Sequence, residues 1–158
     1  MPRERWGRGE GWVVAQLALF AAIALAPRRV PGLPEWPAEL RGAASLAGGA
    51  LMLLGAGAAG LGALQLGRSL TIFPRPKEDG ALVQTGLYRV VRHPIYGGIV
   101  LGAIGFSLLR AGVPSLLLSL ALWAFFELKA RREEAWLAEQ FPEYQEYMRR
   151  VRARILPL

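Results

Sequence analysis

The chain contains no cysteine. That excludes a disulfide framework, a thiolate metal site and a cysteine nucleophile, while leaving the redox compartment open. It has a single histidine, and no group of side chains reads as a metal site. Charge is missing over long stretches: between Arg41 and Arg68 not one residue is ionisable. The charges gather at the N-terminus, in a loop over 68–92 and after Glu127. Polar surface is scarce as well. Hydrophobic residues make up 53% of the 158, and the mean hydropathy is +0.29. A soluble domain of that length has trouble hiding so much apolar surface. Charge-free runs bounded by charged loops are the pattern of a membrane protein, and the length fits one domain. The net charge of +7 does not indicate nucleic acid. The positive residues flank the hydrophobic runs, where anionic lipid headgroups account for them. The abundance of Ala, Gly, Arg, Leu and Pro fits a high-GC bacterial genome.

Hydrophobic spans are expected over Gly11–Ala26, Gly42–Gly67, Pro94–Leu109 and from Pro114 to about Phe126. The first follows Arg3, Arg5 and Arg8 and resembles a signal peptide, but with more spans behind it we read it as a retained helix. A proline-rich loop over 27–41 carries Trp36, a residue suited to the membrane interface. The second span holds Gly48, Gly49, Gly55, Gly57, Gly60 and Gly62. Small residues let helices approach closely in lipid, so this span is expected inside the bundle. The third contains a Gly98/Gly102 GxxxG pair. The third and fourth have only about sixteen uncharged residues each, short of the ~20 that cross untilted; a hairpin that dips in without crossing is the alternative. With the N-terminus inside, fifteen of the nineteen Lys and Arg lie on the inner side, the outer four being Arg28, Arg29, Arg41 and Arg110. Both termini and the 68–93 loop are therefore expected in the cytoplasm.

Beyond the spans, Leu137, Phe141, Tyr144, Met148 and Val151 form a helical stripe, with Pro142 opening a second helix. The stripe reads equally as a helix lying on the headgroups or as a lid over a cytoplasmic-side site. Two clusters offer chemistry. At the mouth of the third span stand Tyr88, Arg89, Arg92, His93 and Tyr96, with Pro94 in the first helical turn, where free N–H groups attract negative charge. Arg89 reads as an interface anchor; Arg92 and His93 are equally consistent with anchoring and with binding an anion. Past the fourth span come Arg131, Arg132, Glu133 and Glu134. The two carboxylates flank the apolar stripe, about 40° and 60° either side of Leu137, so at least one needs a partner. That partner is a neighbouring arginine or a ligand ammonium. Both clusters fall on the inner side among tyrosines, and a zwitterionic amino acid bearing an aromatic base, such as S-adenosylmethionine, fits them together.

The run Gly86-Leu-Tyr-Arg-Val-Val-Arg-His-Pro-Ile-Tyr-Gly97, a hydrophobic hairpin, Glu133-Glu134-x-x-Leu137, Phe141-x-x-Tyr144-x-x-Tyr147 and Pro157 together resemble the isoprenylcysteine carboxyl methyltransferase family, within a broader group of membrane phospholipid N-methyltransferases. Leu66–Thr71 and Pro74-Arg-Pro76 are similar to bacterial members. The resemblance covers about 64–157. One departure is Gly86-Leu87-Tyr88, where the family commonly has Gly-Pro-Tyr. Another is the chain's shortness. The resemblance implies an all-α polytopic membrane bundle of about four spans, with amphipathic C-terminal helices capping a cytoplasmic-side cofactor pocket. It implies a single domain over 1–158, with N-terminal helices to 63 and a cofactor-binding core over 64–157, in a bacterial inner membrane.

By resemblance, S-adenosylmethionine is held by Tyr88, Arg92, His93, Pro94, Tyr96, Gly97, Glu133, Glu134 and Tyr144. His93, Arg131, Arg132 and Glu134 are the candidate catalytic residues. A lipid-like acceptor enters sideways where the small residues of the second span leave room. A carboxylate acceptor needs an arginine to orient it, and Arg131 and Arg132 are candidates; an amine acceptor needs a base, His93 or a glutamate. Alternatives are an NADPH-dependent reductase of the sterol-reductase type and a non-catalytic membrane scaffold. Replacing His93, Glu133 or Glu134 by Ala is expected to weaken cofactor binding and leave the protein extractable. Oligomeric state is not set by the sequence.

Overall fold

The computed structural model describes residues 9–157; Arg3, Arg5 and Arg8, counted above for orientation, lie outside the described residues. Five helices follow one another: α1 (Glu10–Leu25), α2 (Ala38–Leu66), α3 (Pro94–Leu109), α4 (Val113–Gln140) and α5 (Tyr144–Arg150), with 3₁₀ turns at Gly67–Ser69 and Gly86–Arg89. No strand occurs among the described residues. Proline and glycine set most of the boundaries. Ala26 precedes Pro27 and leaves the helical region, with ψ 131, because the proline ring crowds a helical predecessor. Pro94 opens α3 and Pro114 sits in the first turn of α4, where a missing N–H costs nothing.

α2 and α3 run antiparallel along a seam of glycines. Gly48 faces Gly105, Gly55 faces Gly98, and Gly62 faces Pro94 and Ile95. A Cβ on Gly98 would lie 2.5 Å from the Gly55 carbonyl oxygen, and one on Gly105 would lie 2.6 Å from that of Gly48. The backbones touch, as small residues permit in lipid. The seam repeats every seven residues. Gly98 of the expected GxxxG pair uses its missing side chain here, whereas a Cβ on Gly102 meets open space.

The expectation that α2 lies inside the bundle holds for one stripe only. Ala44, Gly48, Gly55 and Gly62 are buried, while Leu46, Leu53 and Leu64 are about four-fifths exposed. Those leucines make the lipid-facing side of a helix packed along one edge. Along this seam α3 fills the space beside Gly48, Gly55 and Gly62.

α4 packs against α3 and α1. Its core is Val100, Leu122, Phe126 and Ala130 with Ile23 and Ile155. Ser107 and Ser119 bond each other across α3 and α4 at 3.0 Å. The fourth span does not stop near Phe126. α4 continues unbroken to Gln140, 28 residues or about 42 Å, so the charged segment past Phe126 extends the same rod. Among the described residues α2 and α4 are the two helices long and apolar enough to cross a membrane alone, while α1 and α3 are apolar and shorter.

Leu137 and Phe141 do not continue helically into Tyr144. Phe141 turns extended before Pro142, and α5 begins two residues past that proline. The stripe nevertheless closes into one cluster of Tyr144, Tyr147 and Val151 against Leu82, Leu137 and Phe141. Tyr147 takes the most buried place in the second turn, and Met148 packs at its edge.

Candidate functional site

The end of the bundle where α3 begins is built on the C-terminal tail. Arg92 N–H donates to the Ala153 carbonyl at 3.0 Å, and His93 N–H to that of Arg154 at 2.8 Å. The amides of Arg92 and His93, just ahead of the first turn of α3, are thus occupied by the tail. Gly97 permits this return, because a Cβ there would strike the Ile155 carbonyl oxygen. Pro94 packs on Gly62. Pro94 and Gly97, both expected at the cofactor, hold backbone to backbone instead and do not line the cavity described below.

The two clusters do meet. Glu134 is buried and accepts from Arg92 Nε at 2.8 Å and from Arg154 Nε at 3.1 Å. His93 Nε2 lies 3.3 Å away. Arg92 spends one terminal nitrogen on the Val151 and Arg152 carbonyls, and Arg154 reaches on to Glu127 at 2.9 Å. A buried carboxylate shared among three basic side chains is compensated by its neighbours. Glu134 therefore belongs to the network tying α4 to the tail and does not line the cavity.

Glu133 faces the other way. It lines a cavity of about 230 Å³ bounded by α3, α4, α5 and the 66–83 loop. It accepts from the Tyr96 hydroxyl at 2.6 Å, and His93 Nδ1 is 3.9 Å from it. The rings of His93 and Tyr96 stack with centroids 5.3 Å apart, and Tyr96 stacks on Phe126 at 4.6 Å. Of the residues expected at a cofactor, Tyr88, Arg92, His93, Tyr96, Glu133 and Tyr144 reach the cavity. Arg131 and Arg132 do not. Both are exposed, and Arg132 lies over the Trp136 ring at 4.5 Å.

The tyrosines at this end are wired to the backbone. Tyr88 donates to the Gly62 carbonyl at 3.3 Å and Tyr147 to that of Tyr88 at 2.7 Å. Burial pushes the Tyr88 and Tyr144 phenols well above their ordinary range, so both remain donors at neutral pH. Leu87 N–H donates to Gln65 Oε1 at 2.9 Å. That bond accounts for the departure from Gly-Pro-Tyr, since proline has no N–H to give.

Sequence reasoning missed Lys129, which is 1% exposed and lines the cavity. Its Nζ donates to Gln16 Oε1 of α1 at 2.6 Å and lies 5.1 Å from the Tyr96 ring centroid. Two signals were present. Phe126, Lys129, Glu133 and Leu137 share one helical face, and Gln16 is the lone polar residue of its span. The loop wall was also missed. Ser69 Oγ pairs with both the N–H and the carbonyl of Ala81, closing the loop into a flap.

The helical bundle thus closes one end over a chamber lined by tyrosines and by charges of both signs. The chain belongs to the phospholipid methyltransferase family, whose pattern matches residues 43–144. It is 37% identical over 92 residues to the protein-S-isoprenylcysteine O-methyltransferase of Schizosaccharomyces pombe, covering 56% of this chain and 39% of that one. It is 31% identical over 104 residues to the cobalt-zinc-cadmium resistance protein CzcN of Cupriavidus metallidurans, covering 65% and 48%. The chain thus spans half or less of the length of these relatives. The fold matches the eukaryotic intramembrane Ras methyltransferase, an isoprenylcysteine carboxyl methyltransferase, with a TM-score of 0.66 and 22% identity over 95% of this chain and 52% of that one.

Proposed function

We propose that this protein is an S-adenosylmethionine-dependent membrane methyltransferase that methylates a carboxylate on a lipid-like acceptor. The observation carrying this reading is the charge of both signs in the cavity. Glu133, bonded to Tyr96, shares the wall with Arg92 and His93, and the buried Lys129 ammonium, bonded to Gln16 of α1, adds a second cation to it. The donor set fits the proposed group: a carboxylate for an ammonium, basic side chains for a carboxylate, and Tyr88, Phe141, Tyr144 and Tyr147 for an adenine ring. S-adenosylmethionine supplies a methyl already activated on sulfonium, so the protein's task is to position and desolvate.

Lys129 is what separates the acceptor classes. A buried cation attracts an anion and repels a protonated amine, so it favours O-methylation of a carboxylate over N-methylation. It takes the orienting role that Arg131 and Arg132 are too far outside to play. His93, held between two carboxylates, then keeps Glu133 and Glu134 in place and need not act as a base. Leu66, Leu70, Ile95 and Ile99 give the cavity an apolar wall. The gap between α1 and α2, whose Gln16 and Leu66 both line it, is the lateral way in for an acyl or prenyl chain.

The test is binding of S-adenosylhomocysteine to the purified protein in detergent, measured by calorimetry. The parent binds it, and Glu133→Gln and His93→Ala bind about 10–100-fold more weakly, the range for losing a charge-assisted hydrogen bond. Lys129→Met binds it like the parent but loses methyl transfer to a carboxylate acceptor such as N-acetyl-S-farnesylcysteine. Binding of NADPH instead would make the chain a reductase. Binding of neither would leave the Arg92–His93–Glu134–Arg154 network as the scaffold reading has it.

A further inference from the structure

At the other end of α2 lies a second cleft, of about 510 Å³, that the methyl-transfer reading does not use. It opens between the α1–α2 loop and the turn joining α3 to α4. Every basic residue the charge count placed on the outer side meets there: Arg28, Arg29, Arg41 and Arg110. One carboxylate, Glu35, lines it with them. Arg29 and Arg41 share the same Glu35 oxygen, at 3.3 and 3.8 Å, so one negative charge stands against two guanidinium groups. Arg110 is committed to the carbonyls of Ala24 and Ala26 at 2.7 and 3.1 Å and to the Phe106 ring. Those carbonyls hold it in place without neutralising it. Arg28 is exposed and meets no acceptor among the described residues. The cleft is therefore preorganised with a net positive charge.

A second observation points to a missing acceptor. The indole nitrogen of Trp36, which also lines the cleft, is buried and has no hydrogen-bond partner. Buried donors are nearly always satisfied, and an orphan marks an absent water or ion. Around the cleft Val30, Leu33 and Leu109 stay partly exposed, so the cationic pocket has an apolar rim. An oxyanion with several acceptor oxygens suits a set of guanidinium groups plus an indole N–H, and an apolar rim suits an ester that carries acyl chains.

We propose that this cleft is a binding site for a phosphate group, presented by the headgroup of an anionic phospholipid in the leaflet opposite the cavity. α2 lines the cleft with Ser45 and the cavity with Leu66, about 32 Å apart along the helix, so the cleft is distinct from the proposed methyl-transfer site and does not depend on it. A phospholipid seated there ties the α1–α2 loop to the α3–α4 turn, where no backbone hydrogen bond joins them among the described residues.

The test uses the full-length protein, delipidated in a neutral maltoside detergent. Binding of short-chain phosphatidylglycerol is measured by native mass spectrometry, beside short-chain phosphatidylcholine and inorganic phosphate. Phosphatidylglycerol is expected to bind at least 10-fold more tightly than phosphatidylcholine. Arg28→Gln, an exposed position without a partner to lose, should weaken it several-fold, and Arg28→Gln with Arg29→Gln and Arg41→Gln should abolish it. Trp36→Phe, which keeps the ring and removes the N–H, gives a smaller loss. S-adenosylhomocysteine binding by Arg28→Gln serves as the folding control and should match the parent; should the parent not bind that ligand, an unchanged melting temperature replaces it. Inorganic phosphate competing at the same site would support an anion site and assign it to the free ion. Equal binding of both lipids, or undiminished phosphatidylglycerol binding in the triple variant, would overturn the proposal.

Discussion

Glu133 and Glu134 are neighbours in the chain, yet the turn of α4 sends one to the cavity and the other among the guanidinium groups of Arg92 and Arg154. Their variants should fail in different ways. Glu133→Gln keeps the Tyr96 hydroxyl bonded and loses a charge in the cavity, so the melting temperature stays near the parent value and ligand affinity falls. Glu134→Ala strands two buried or half-buried cations, a change that costs about 3–5 kcal/mol in comparable sites. Thermal denaturation followed by tryptophan fluorescence in detergent should show Glu134→Ala melting well below the parent, with ligand loss secondary to it. The sequence alone leads to weaker cofactor binding for both alanine variants, with the folded protein still extractable. It located the acidic pair and the basic run that meets it, because charges in so apolar a chain are conspicuous. It did not separate the pair, because which carboxylate pairs with Arg154 depends on a tail that returns from twenty residues away. Lys129 went unnoticed for a related reason: it stood in a basic stretch and was counted for topology rather than placed on the face it shares with Glu133.

At the scale of the element, the helix that reads as least specific is the one most tightly constrained. Gly48, Gly55 and Gly62 carry the α2–α3 seam, while Gly49, Gly57 and Gly60 face open space. Gly55→Ala would drive a methyl group into the Gly98 carbonyl and the backbone of Gly102, overpacking that costs about 1–3 kcal/mol or more where backbone cannot yield. Gly57→Ala meets nothing and gains helix propensity, up to ~1 kcal/mol. Melting temperatures of the two variants should move in opposite directions; equal behaviour would mean the helices do not touch. The sequence showed the glycines but not their register, since composition bias and packing look alike until a partner helix is in place. α5 is a different case, an element held by buried phenols. Burial first, with Glu134 adding and Arg92 opposing, pushes Tyr147 up to about 12 from an ordinary 10.0. Below about pH 10 the phenol keeps its proton folded or unfolded, and its contribution is intact. Between about 10 and 12 only the unfolded chain releases the proton, so stability falls as pH rises. The melting temperature in detergent should therefore drop across that window, and Tyr147→Phe should flatten part of the drop.

The whole molecule is two ends joined by α2 and α4, each longer than the ~30 Å hydrocarbon core. A helical membrane bundle was legible from charge-free runs. The extent of α4 was not, because its polar half looks like a separate surface helix until the chain is seen to continue straight through Phe126. Orientation rests on the bias of Lys and Arg toward one side. The absence of cysteine makes this testable without removing any native thiol. Asp79→Cys lies in the loop over the cavity, and Leu33→Cys lies in the α1–α2 loop beside the arginine cleft. In intact bacterial cells expressing either variant, a membrane-impermeant maleimide should label Leu33→Cys, while Asp79→Cys should react only after the membrane is opened. The reverse pattern would put the cavity outside, away from the cytoplasmic supply of S-adenosylmethionine, and the methyltransferase reading would fail with it. Labelling of both in intact cells would mean that α2 does not cross, and the two sites would then lie on one face of the bilayer.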